Sequence, residues 1–367
     1  MNHGWKYITS EECFSSITPK CKIEKKKYST GSLIPIISQE EEFISGYWDD
    51  DSDITPHSKP VVVFGDHSRV LKYIDFDFVV GADGVKILHP SELIEAKFLY
   101  YYLRWKNIPS LGYSRHFKLI KDSTYLCPPL NSQHTIVTEL DKLNELIELK
   151  RKQLKDLDAL AQSLFYEIFG DPTTNPKGWP VNALGDLVTE KLSYGSGASG
   201  ISYNNEVRYI RITDIDEQGK LKPEIISSPS EFDPKYILKD GDILFARSGA
   251  TVGKTFQYHH SIGKAIYAGY LIKASLDISM IKPDYLYSLT KTSYYWGYIS
   301  KSIRGAAQPN VNAKLYGALL IPVPPLSLQE EFAKRIEAIE EQKRLIESSI
   351  ADLETLLASR MDYWFND

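Results

Sequence analysis

Cysteine is scarce in this sequence, and a long apolar run is missing. The 367 residues include three cysteines, Cys13, Cys21 and Cys127, with no CxxC pair among them. This pattern excludes a disulfide framework and the common zinc-site spacings, so we expect reduced thiols and no metal site. No apolar run is as long as the ~18 residues of a membrane span, and the N-terminal residues are not typical of a signal peptide. We therefore expect a cytoplasmic protein of about two or three domains.

Positive charge is also scarce overall, but it is concentrated in two places. The formal net charge is −5, yet residues 97–121 carry six Lys or Arg and no acid. Residues 236–320 carry ten Lys or Arg against four Asp. Both segments are dense in tyrosine and tryptophan, and basic surface with interleaved aromatic residues is typical of nucleic-acid binding. A single basic segment more often forms a solvated face. The prediction of nucleic-acid binding therefore depends on there being two such segments at matching positions.

The matching positions are set by an internal repeat. Residues 128–171 and 324–367 align without a gap at an offset of 196 residues. Each copy begins with Pro-Pro-Leu, which closes the preceding segment, and Asn131 and Ser327 then stand as candidate N-caps. The sequence therefore predicts two long helices, at 131–169 and 327–365, and two equivalent units in one chain.

Both helices carry apolar residues in the alternating 4-3 spacing of a coiled coil, interrupted by Lys150 in one copy and Lys343 in the other. Each helix should be roughly 50–60 Å long, which favours an antiparallel pair that sets the distance between two heads. Two separate helical hairpins are the alternative. The predicted seam residues are Ile136, Leu140, Leu143, Ile147, Leu154, Leu157, Leu164, Phe332, Ile336, Ile339, Ile346, Ile350, Leu353 and Leu357.

The segments before the helices read as two related heads. Short β-rich runs separated by glycine-containing turns occur at 59–88 and again at 241–274, and a short helix follows each. The predicted fold class is α+β. Two mostly antiparallel-sheet domains are joined by two long helices that form an antiparallel coiled coil, with internal pseudo-two-fold symmetry.

Three stretches resemble a known family. They are VVVFGDHSRVLKYIDFDFVVGADGVKIL (61–88), GDILFARSGATVGKT (241–255) and QPNVNAKLYGALLIPVPPLSLQEEFAKRIEAIEE (308–341). The most specific feature is a strand followed by PPLxxQ and a long helix, which occurs twice, although the first copy has STYLCPPLNSQ in place of LLIPVPPLSLQ. On these residues the chain resembles the DNA-specificity subunit of type I restriction-modification systems.

The resemblance implies a domain plan and a function. Target-recognition domains at 1–127 and 172–323 would alternate with conserved-region helices at 128–171 and 324–367. Each domain would read one half of a bipartite, asymmetric site on double-stranded DNA. The chain would direct adenine methylation and restriction by partners, namely two methyltransferase subunits and the restriction subunits. It would hold no cofactor itself, with S-adenosylmethionine on the methyltransferase and ATP and Mg on the restriction subunit.

Loop residues of the basic segments are the candidate DNA contacts, since Arg can bond guanine, Gln or Asn can bond adenine, and Lys more often holds phosphate. Other readings stay open: Asn310 and Asn312 can order the turn after Pro309, and Lys254 can be a solvated strand end. The candidates are His67, Arg69, Tyr113, Arg115, His116 and Lys118 in the first head, and Arg247, Ser248, Lys254, Arg304, Gln308, Asn310 and Asn312 in the second.

Enzymatic readings are weaker, so we expect no catalytic residues and a non-catalytic recognition subunit. A phosphate-binding loop needs glycine where Ser248 stands. Asp83 with Glu95 and Lys97 matches only a loose nuclease pattern, and His259-His260 lacks metal partners at a recognised spacing. A specificity subunit of a combined methylase-nuclease, type II-like system remains an alternative. A coiled-coil scaffold or transcriptional regulator is another, although the heads lack a helix-turn-helix or zinc-finger pattern.

Overall fold

The chain folds into two compact units. The computed structural model describes residues 5–29, 33–58, 60–82, 84–112, 114–303 and 309–366. Unit 1 comprises Met1–Lys152 together with Glu347–Asp367, and unit 2 comprises Gln153–Ile346. Both units combine helices with sheets, so the α+β prediction is confirmed. Within the described ranges, no helix has the length and apolarity that crossing a membrane requires.

The described residues of unit 1 form nine strands and the shorter helices α1 (Ser10–Cys13), α2 (Ala96–Lys106) and α3 (Phe117–Lys121). The strands are β1 (Lys6–Thr9), β2 (Phe14–Ile17), β3 (Ile34–Ile37), β4 (Gly46–Trp48), β5 (Val61–Gly65), β6 (Leu71–Ile74), β7 (Val79–Val80), β8 (Val85–Pro90) and β9 (Thr124–Cys127).

The central sheet of unit 1 is antiparallel, in the order β2-β8-β5-β6. Its strand β5 is buried on both faces: Val62 and Phe64 pack against the helices, and Val61 and Val63 enter a second apolar cluster. That is why VVVF reads as a continuous apolar run rather than an alternating one. A two-stranded sheet pairs β1 with β9, and a three-stranded sheet has the order β4-β3-β7, with β3 and β7 parallel. The long helix α4 (Leu130–Phe169) follows β9.

Unit 2 repeats this plan. Outside residues 304–308, it has ten strands and the helices α5 (Pro283–Leu289), α6 (Ser293–Ser302) and α7 (Ala313–Gly317). The strands are β10 (Val181–Ala183), β11 (Ser193–Tyr194), β12 (Gly200–Ser202), β13 (Arg208–Ile210), β14 (Ser227–Pro229), β15 (Ile243–Ala246), β16 (Thr255–Gln257), β17 (Ala265–Tyr267), β18 (Leu271–Ala274) and β19 (Leu320–Pro322).

The order of strands makes the relation between the units explicit. The antiparallel sheet β11-β18-β15-β16 of unit 2 corresponds strand for strand to β2-β8-β5-β6 of unit 1, and β10-β19 corresponds to β1-β9. Two further pairs, β12-β14 and the parallel β13-β17, complete unit 2. The second long helix, α8 (Leu326–Phe365), follows β19 as α4 follows β9. The predicted duplication of plan is therefore present in the structure.

Each long helix has 40 residues and begins one residue before the predicted start. Asn131 and Ser327 consequently lie in the first turn, and the expectation that they are N-caps is wrong. The carbonyl groups of Pro129 and Pro325 accept the first-turn amides of Gln133 (3.0 Å) and Gln329 (3.2 Å) instead. The proline that cannot donate still supplies an acceptor where the helix starts.

A buried glutamine fixes the start of α4. The side chain of Gln133 is fully buried, and its Nε2 donates to the carbonyl oxygens of Leu93 and Pro128, both at 2.8 Å. Its Oε1 accepts from the amide of Glu95 at 2.8 Å. Because Glu95 directly precedes α2, these three bonds join the start of α2 to the start of α4.

The same device appears in unit 2. Gln329 is also fully buried, and its Nε2 donates to the carbonyl oxygens of Pro324 (2.7 Å) and Met280 (3.3 Å). Its Oε1 accepts from the amide of Lys282 at 2.8 Å, next to the start of α5. The glutamine of PPLxxQ is therefore a structural residue, because a buried amide must have its donors and acceptors satisfied.

In unit 1 the halves of α4 and α8 run antiparallel. Glu139 near the start of α4 pairs with Arg360 near the end of α8, and further along α4 Arg151 pairs with Glu354 at 2.8 Å. Residue numbers thus rise along one helix as they fall along the other. The seam residues of this unit are buried (Ile136, Leu140, Ile147 and Leu357) or partly buried against the same core (Leu143, Ile350 and Leu353).

In unit 2 the remaining halves are antiparallel as well. Phe165 and Phe169 near the end of α4 contact the ring of Phe332 near the start of α8, with centroids 5.9 and 5.1 Å apart. Lys343 interrupts the seam, but it is 6% exposed and pairs with Asp158 (2.6 Å) and Glu340 (2.7 Å). The other seam residues are buried (Leu164, Phe332 and Ile339), partly buried against the core (Leu157 and Ile336) or half-buried (Leu154 and Ile346).

Candidate nucleic-acid interface

In each unit the candidate site is built where the central strand ends. The strand β5 is followed by Asp66 and the equivalent β15 by Arg247. The carbonyl of Asp66 accepts from the amide of His116, and that of Arg247 accepts from the amide of Val311, both at 2.8 Å. The loop after the strand is thereby joined to the segment before α3 or α7. This connection brings together residues that are 50 positions apart in unit 1 and 64 positions apart in unit 2.

His116 was predicted to contact DNA, but the structure places it inside unit 1 with no exposed surface. Its Nε2 accepts from the amide of Leu111 at 3.0 Å, so the proton is on Nδ1, which lies 2.9 Å from the carbonyl oxygen of Asp66. Both ring nitrogens are used within the fold. His116 therefore supports the loop, and we correct its assignment from a contact residue to a positioning residue.

His67 and Arg69 lie in the same loop and are half-buried. The Nδ1 of His67 is 3.2 Å from the carbonyl oxygen of Ser114, which ties the loop to the basic segment. Arg69 has a positive φ of 64°, and its Nη1 donates to the carbonyl of Ile108 at 3.0 Å. Part of the guanidinium of Arg69 is thus used to hold the loop.

Arg115 and Lys118 are exposed beside a cavity of about 410 Å³ at the edge of unit 1. Lys86 enters the same wall, with its Nζ 5.3 Å from the centre of the Phe117 ring and 3.9 Å from Asp66. Lys86 was missing from the sequence-based candidates because it lies on β8, outside the basic segment. The charged residues around the cavity are Lys86, Arg115, Lys118, Lys121, Glu11, Asp66 and Asp122.

In unit 2, Arg247 is held over an aromatic ring. Its Cζ lies 4.7 Å from the centre of the Tyr194 ring, and its buried Nε has no hydrogen-bond partner. Ser248 begins the next turn, where it forms an isolated bridge with Asn310, and Asn310 is exposed. Arg247, Ser248 and Asn310 are therefore brought together as predicted, and Tyr194 is a further residue that the sequence did not single out.

Two other candidates of unit 2 have structural partners. Lys254 is only 11% exposed in its side chain, and its Nζ pairs with Glu217 at 2.5 Å. Asn312 is the N-cap of α7, where its side chain accepts from the amide of Leu315 at 2.9 Å. The turn-ordering alternative thus describes Asn312. The predictions for Tyr113, Arg304 and Gln308 fall outside the described residues.

The repeat extends further upstream than the Pro-Pro-Leu motif. Helix α3 (Phe117–Lys121) and helix α7 (Ala313–Gly317) have the same length and the same 196-residue offset as the long helices. Lys118 therefore corresponds to Lys314, and both side chains are exposed. Lys314 is a candidate contact that extending the alignment would have revealed.

The described residues give little structural support to the enzymatic alternatives. The turn after Ser248 leads into the strand β16 and not into a helix, whereas a phosphate-binding loop requires a helix N-terminus there. The Nδ1 of His260 lies 3.1 Å from Asp240 on an exposed turn. Asp83 lies outside the described residues. Across the part of the chain that the structure describes, no group of three or more His, Cys, Asp or Glu side chains could hold a metal ion.

Comparison with protein families defines the class. Residues 176–355 match the model of the type I restriction modification DNA specificity domain. That segment covers most of unit 2 and the first three quarters of α8. Residues 176–355 are therefore similar to the type I DNA specificity domain family.

The relatives by sequence are specificity subunits. The chain is 23% identical over 308 residues to the type I restriction enzyme StySPI specificity subunit of Salmonella potsdam, covering 77% of this chain and 65% of that protein. It is 21% identical over 301 residues to the MjaVIII specificity subunit of Methanocaldococcus jannaschii, covering 71% and 67%. The chain thus spans about two thirds of the length of the curated relatives that it matches.

Solved structures share the fold over nearly the whole chain. The crystal structure of the type I restriction-modification S subunit from M. genitalium matches with a TM-score of 0.61 and 14% identity, covering 99% of this chain and 96% of that one. A chain from a study of complex assembly and conformational transition in the type I system matches with a TM-score of 0.55 and 16% identity, covering 98% and 97%. The chain has the fold of a type I specificity subunit.

Proposed function

We propose that the chain is the DNA-recognition subunit of a type I restriction-modification complex. The observation that carries this proposal is the duplicated interface in a chain with the specificity-domain family match and the specificity-subunit fold. In each unit, a buried strand ends in a loop that is hydrogen-bonded to the segment before a short basic helix. Two such interfaces suit a ligand with two parts to be read, such as a duplex with two specified blocks.

The two blocks should differ in sequence. Unit 1 presents Arg115 and Lys118 beside a charged cavity, whereas unit 2 presents Arg247 and Asn310. Side chains of different hydrogen-bonding pattern select different base edges in the major groove. The recognised site is therefore bipartite and asymmetric, with unspecified base pairs between the blocks. The proposed contacts are His67, Arg69, Arg115, Lys118 and Lys86 in unit 1, and Arg247, Ser248, Asn310 and Lys314 in unit 2.

The long helices offer apolar surface for partner subunits. In unit 1 Leu146, Leu149 and Leu356 are 46%, 59% and 45% exposed, and in unit 2 Leu160 and Leu345 are 51% and 63% exposed. Exposed apolar side chains repeated along helices are typical of helix-helix association. We propose that two adenine methyltransferase subunits, which carry S-adenosylmethionine, dock on these helices. Restriction subunits using ATP and Mg would join them in the cytoplasm.

On this proposal the chain recognises DNA and leaves methyl transfer and cleavage to its partners. Basic and amide side chains dominate its candidate interface, and these groups bind DNA without supplying a cofactor or an acid-base pair. Purified chain incubated with duplex DNA and S-adenosylmethionine should transfer no methyl groups and make no breaks. Methyl transfer by the chain alone would contradict this part of the proposal.

Methylome sequencing tests recognition directly. The strain that carries this chain should show adenine methylation at a motif with two specified blocks separated by unspecified bases. Deletion of the gene should abolish that methylation, and a plasmid copy should restore it. A continuous or palindromic motif, or methylation that survives the deletion, would contradict the proposed function.

A further inference from the structure

We propose that Arg247 reads a guanine in the half-site of unit 2, and that Tyr194 is the residue that positions it. This inference rests on the proposed function and names the base class and the positioning residue.

The backbone of Arg247 is fixed on both sides. Its amide donates to the carbonyl of Tyr270 at 3.1 Å, and its carbonyl accepts from Val311 at 2.8 Å. The preceding carbonyl, that of Ala246, accepts from the hydroxyl of Tyr316 at 2.7 Å. The backbone of Arg247 is therefore fixed at the end of the buried strand β15. Specific recognition requires a contact residue to be held in this way.

The ring of Tyr194 fixes the position of the side chain. The Cζ of Arg247 is 4.7 Å from the ring centre, within the range of a cation–π contact. The hydroxyl of Tyr194 accepts from the amide of Ala313 at 3.2 Å, so the ring is held between β11 and the start of α7. Gly195 follows, where a Cβ would come within 2.3 Å of the carbonyl oxygen of Tyr267, so the chain can pass there only without a side chain.

Among the residues that the structure describes, the guanidinium of Arg247 has no competing partner. Neither a carboxylate nor a carbonyl of these residues receives a bond from it, and its buried Nε has no acceptor. The nearby Lys254, by contrast, is paired with Glu217. The guanidinium is therefore not committed to another described group, and its terminal nitrogens can donate to a ligand.

Guanine is the ligand group that fits. A guanidinium offers donors in a fixed plane, and the O6 and N7 of guanine present two adjacent acceptors in the major groove. Phosphate contacts in this unit would fall to the exposed Lys314. Asp66 occupies the equivalent position in unit 1, where it is buried and its Oδ1 accepts from the amide of Phe117, so it offers no donor to guanine. The guanine contact is therefore specific to unit 2.

A base-analogue experiment tests this assignment. The chain, together with the subunits that co-purify with it, is titrated with duplexes carrying the motif found by methylome sequencing. Each guanine is replaced in turn by 7-deazaguanine, which lacks N7. The wild type should lose about tenfold in affinity at one guanine of one block. Arg247→Ala should bind the unmodified duplex with this lower affinity. It should lose no further affinity when that one guanine is replaced by 7-deazaguanine.

Variants at Tyr194 separate positioning from packing. Tyr194→Ala should reduce the sensitivity to that one 7-deazaguanine to about twofold, and Tyr194→Phe should retain most of it because the ring remains. Tyr203→Ala is the matched control, since Tyr203 is 39% exposed and Tyr194 is 40% exposed in the same unit. Arg247→Lys keeps the charge but loses the planar pair of donors, so it should lose the sensitivity while retaining affinity for unrelated DNA.

The outcomes are distinguishable. One contrary outcome is that Arg247→Ala weakens binding to all duplexes equally and lowers the slope of log affinity against log salt by about one. In that case Arg247 is a phosphate contact and the inference is wrong. If a motif exists but no guanine couples to Arg247, the inference also fails while the proposed function survives. If no bipartite motif exists, the proposed function itself fails.

Discussion

The strand at the centre of each unit ends in opposite charges: Asp66 follows β5 in unit 1 and Arg247 follows β15 in unit 2. Their backbone carbonyls nevertheless accept similar bonds of 2.8 Å, from His116 and from Val311, which lies one residue before the counterpart of His116 in the repeat. The frame is thus similar, but the two side chains differ in role. Asp66 is buried and its Oδ1 accepts from the amide of Phe117, whereas Arg247 is half-buried against the ring of Tyr194. A duplicated scaffold can hold different recognition chemistry, because backbone bonds fix the loop whatever its side chain is.

The difference extends to the neighbouring cations. Strand register aligns Lys86 with Ile272, since Lys86 pairs with Phe64 and Ile272 pairs with Phe245 at the same place in the sheet. The 196-residue offset aligns Arg115 with Val311 and Lys121 with Gly317. Unit 1 therefore places three cations, beside the acids Glu11, Asp66 and Asp122, at cavity positions that are uncharged in unit 2. We infer that Lys86 and Lys121 add phosphate contacts in unit 1 that unit 2 lacks.

The largest expected effect is on stability, at a position where the two long helices differ. Ile147 and Lys343 occupy the same position of the repeat, and both are buried. Ile147→Lys should destabilise unit 1 by about 3–5 kcal/mol. The residue equivalent to Glu340 is the neutral Asn144, and the residue equivalent to Asp158 is Glu354, which is already paired with Arg151. Lys343→Ile should change the stability of unit 2 by less than about 1 kcal/mol, because a hydrophobic replacement of a buried ion pair is often neutral.

Hydrogen exchange measured separately for each unit is the appropriate readout, since two units need not unfold in one step. If Ile147→Lys is tolerated as well as Lys343→Ile, the two seams do not differ in the way the ion pairs indicate.

The buried glutamines should have equal effects in the two units. Gln133→Leu and Gln329→Leu keep the side-chain volume but leave three backbone groups unsatisfied in each case. Each should cost about 2–3 kcal/mol in the exchange stability of its own unit. Gln342→Leu, at an exposed position of α8, is the control and should have almost no effect. A large effect in one unit only would break the claim that the frame is duplicated.

Much of this frame could be predicted from the sequence. The heptad spacing and the 196-residue offset gave the two helices, and alternating β-rich runs with glycine turns gave the α+β heads. The buried position of His116, the pairing of Lys254 with Glu217 and the contact of Arg247 with Tyr194 could not be predicted. Each depends on residues that are 37 to 53 positions apart or on hydrogen bonds to backbone carbonyls, and neither has a local sequence signal.

A smaller effect should follow from the charge difference between the units. Lys86→Ala in unit 1 should lower the slope of log affinity against log salt by about 0.9, the value for one phosphate contact. Binding titrations from low to moderate salt measure this slope. Lys26→Ala is the control, since Lys26 is exposed in the same unit and paired with Glu24. An unchanged slope for Lys86→Ala would show that the cavity is not part of the DNA interface.

The smallest expected effect is on DNA affinity, from breaking the ion pair between Lys254 and Glu217. Glu217→Gln should free the ammonium group and raise DNA affinity about two- to threefold at low salt, because Lys254 would gain a phosphate. Glu224→Gln, an exposed carboxylate in the same unit, should leave affinity unchanged. Lower affinity in Glu217→Gln would mean that the pair organises the interface and does not compete with DNA.

The central claim is that each unit reads its own half of one bipartite site, and paired variants in the methylome test it most directly. Strains carrying Arg115→Ala or Arg247→Ala in the chromosomal gene are sequenced for methylated adenine. The account predicts that Arg115→Ala relaxes base preference in one block only and that Arg247→Ala relaxes it in the other block only. Relaxation of both blocks by either variant, or of the same block by both, would contradict it.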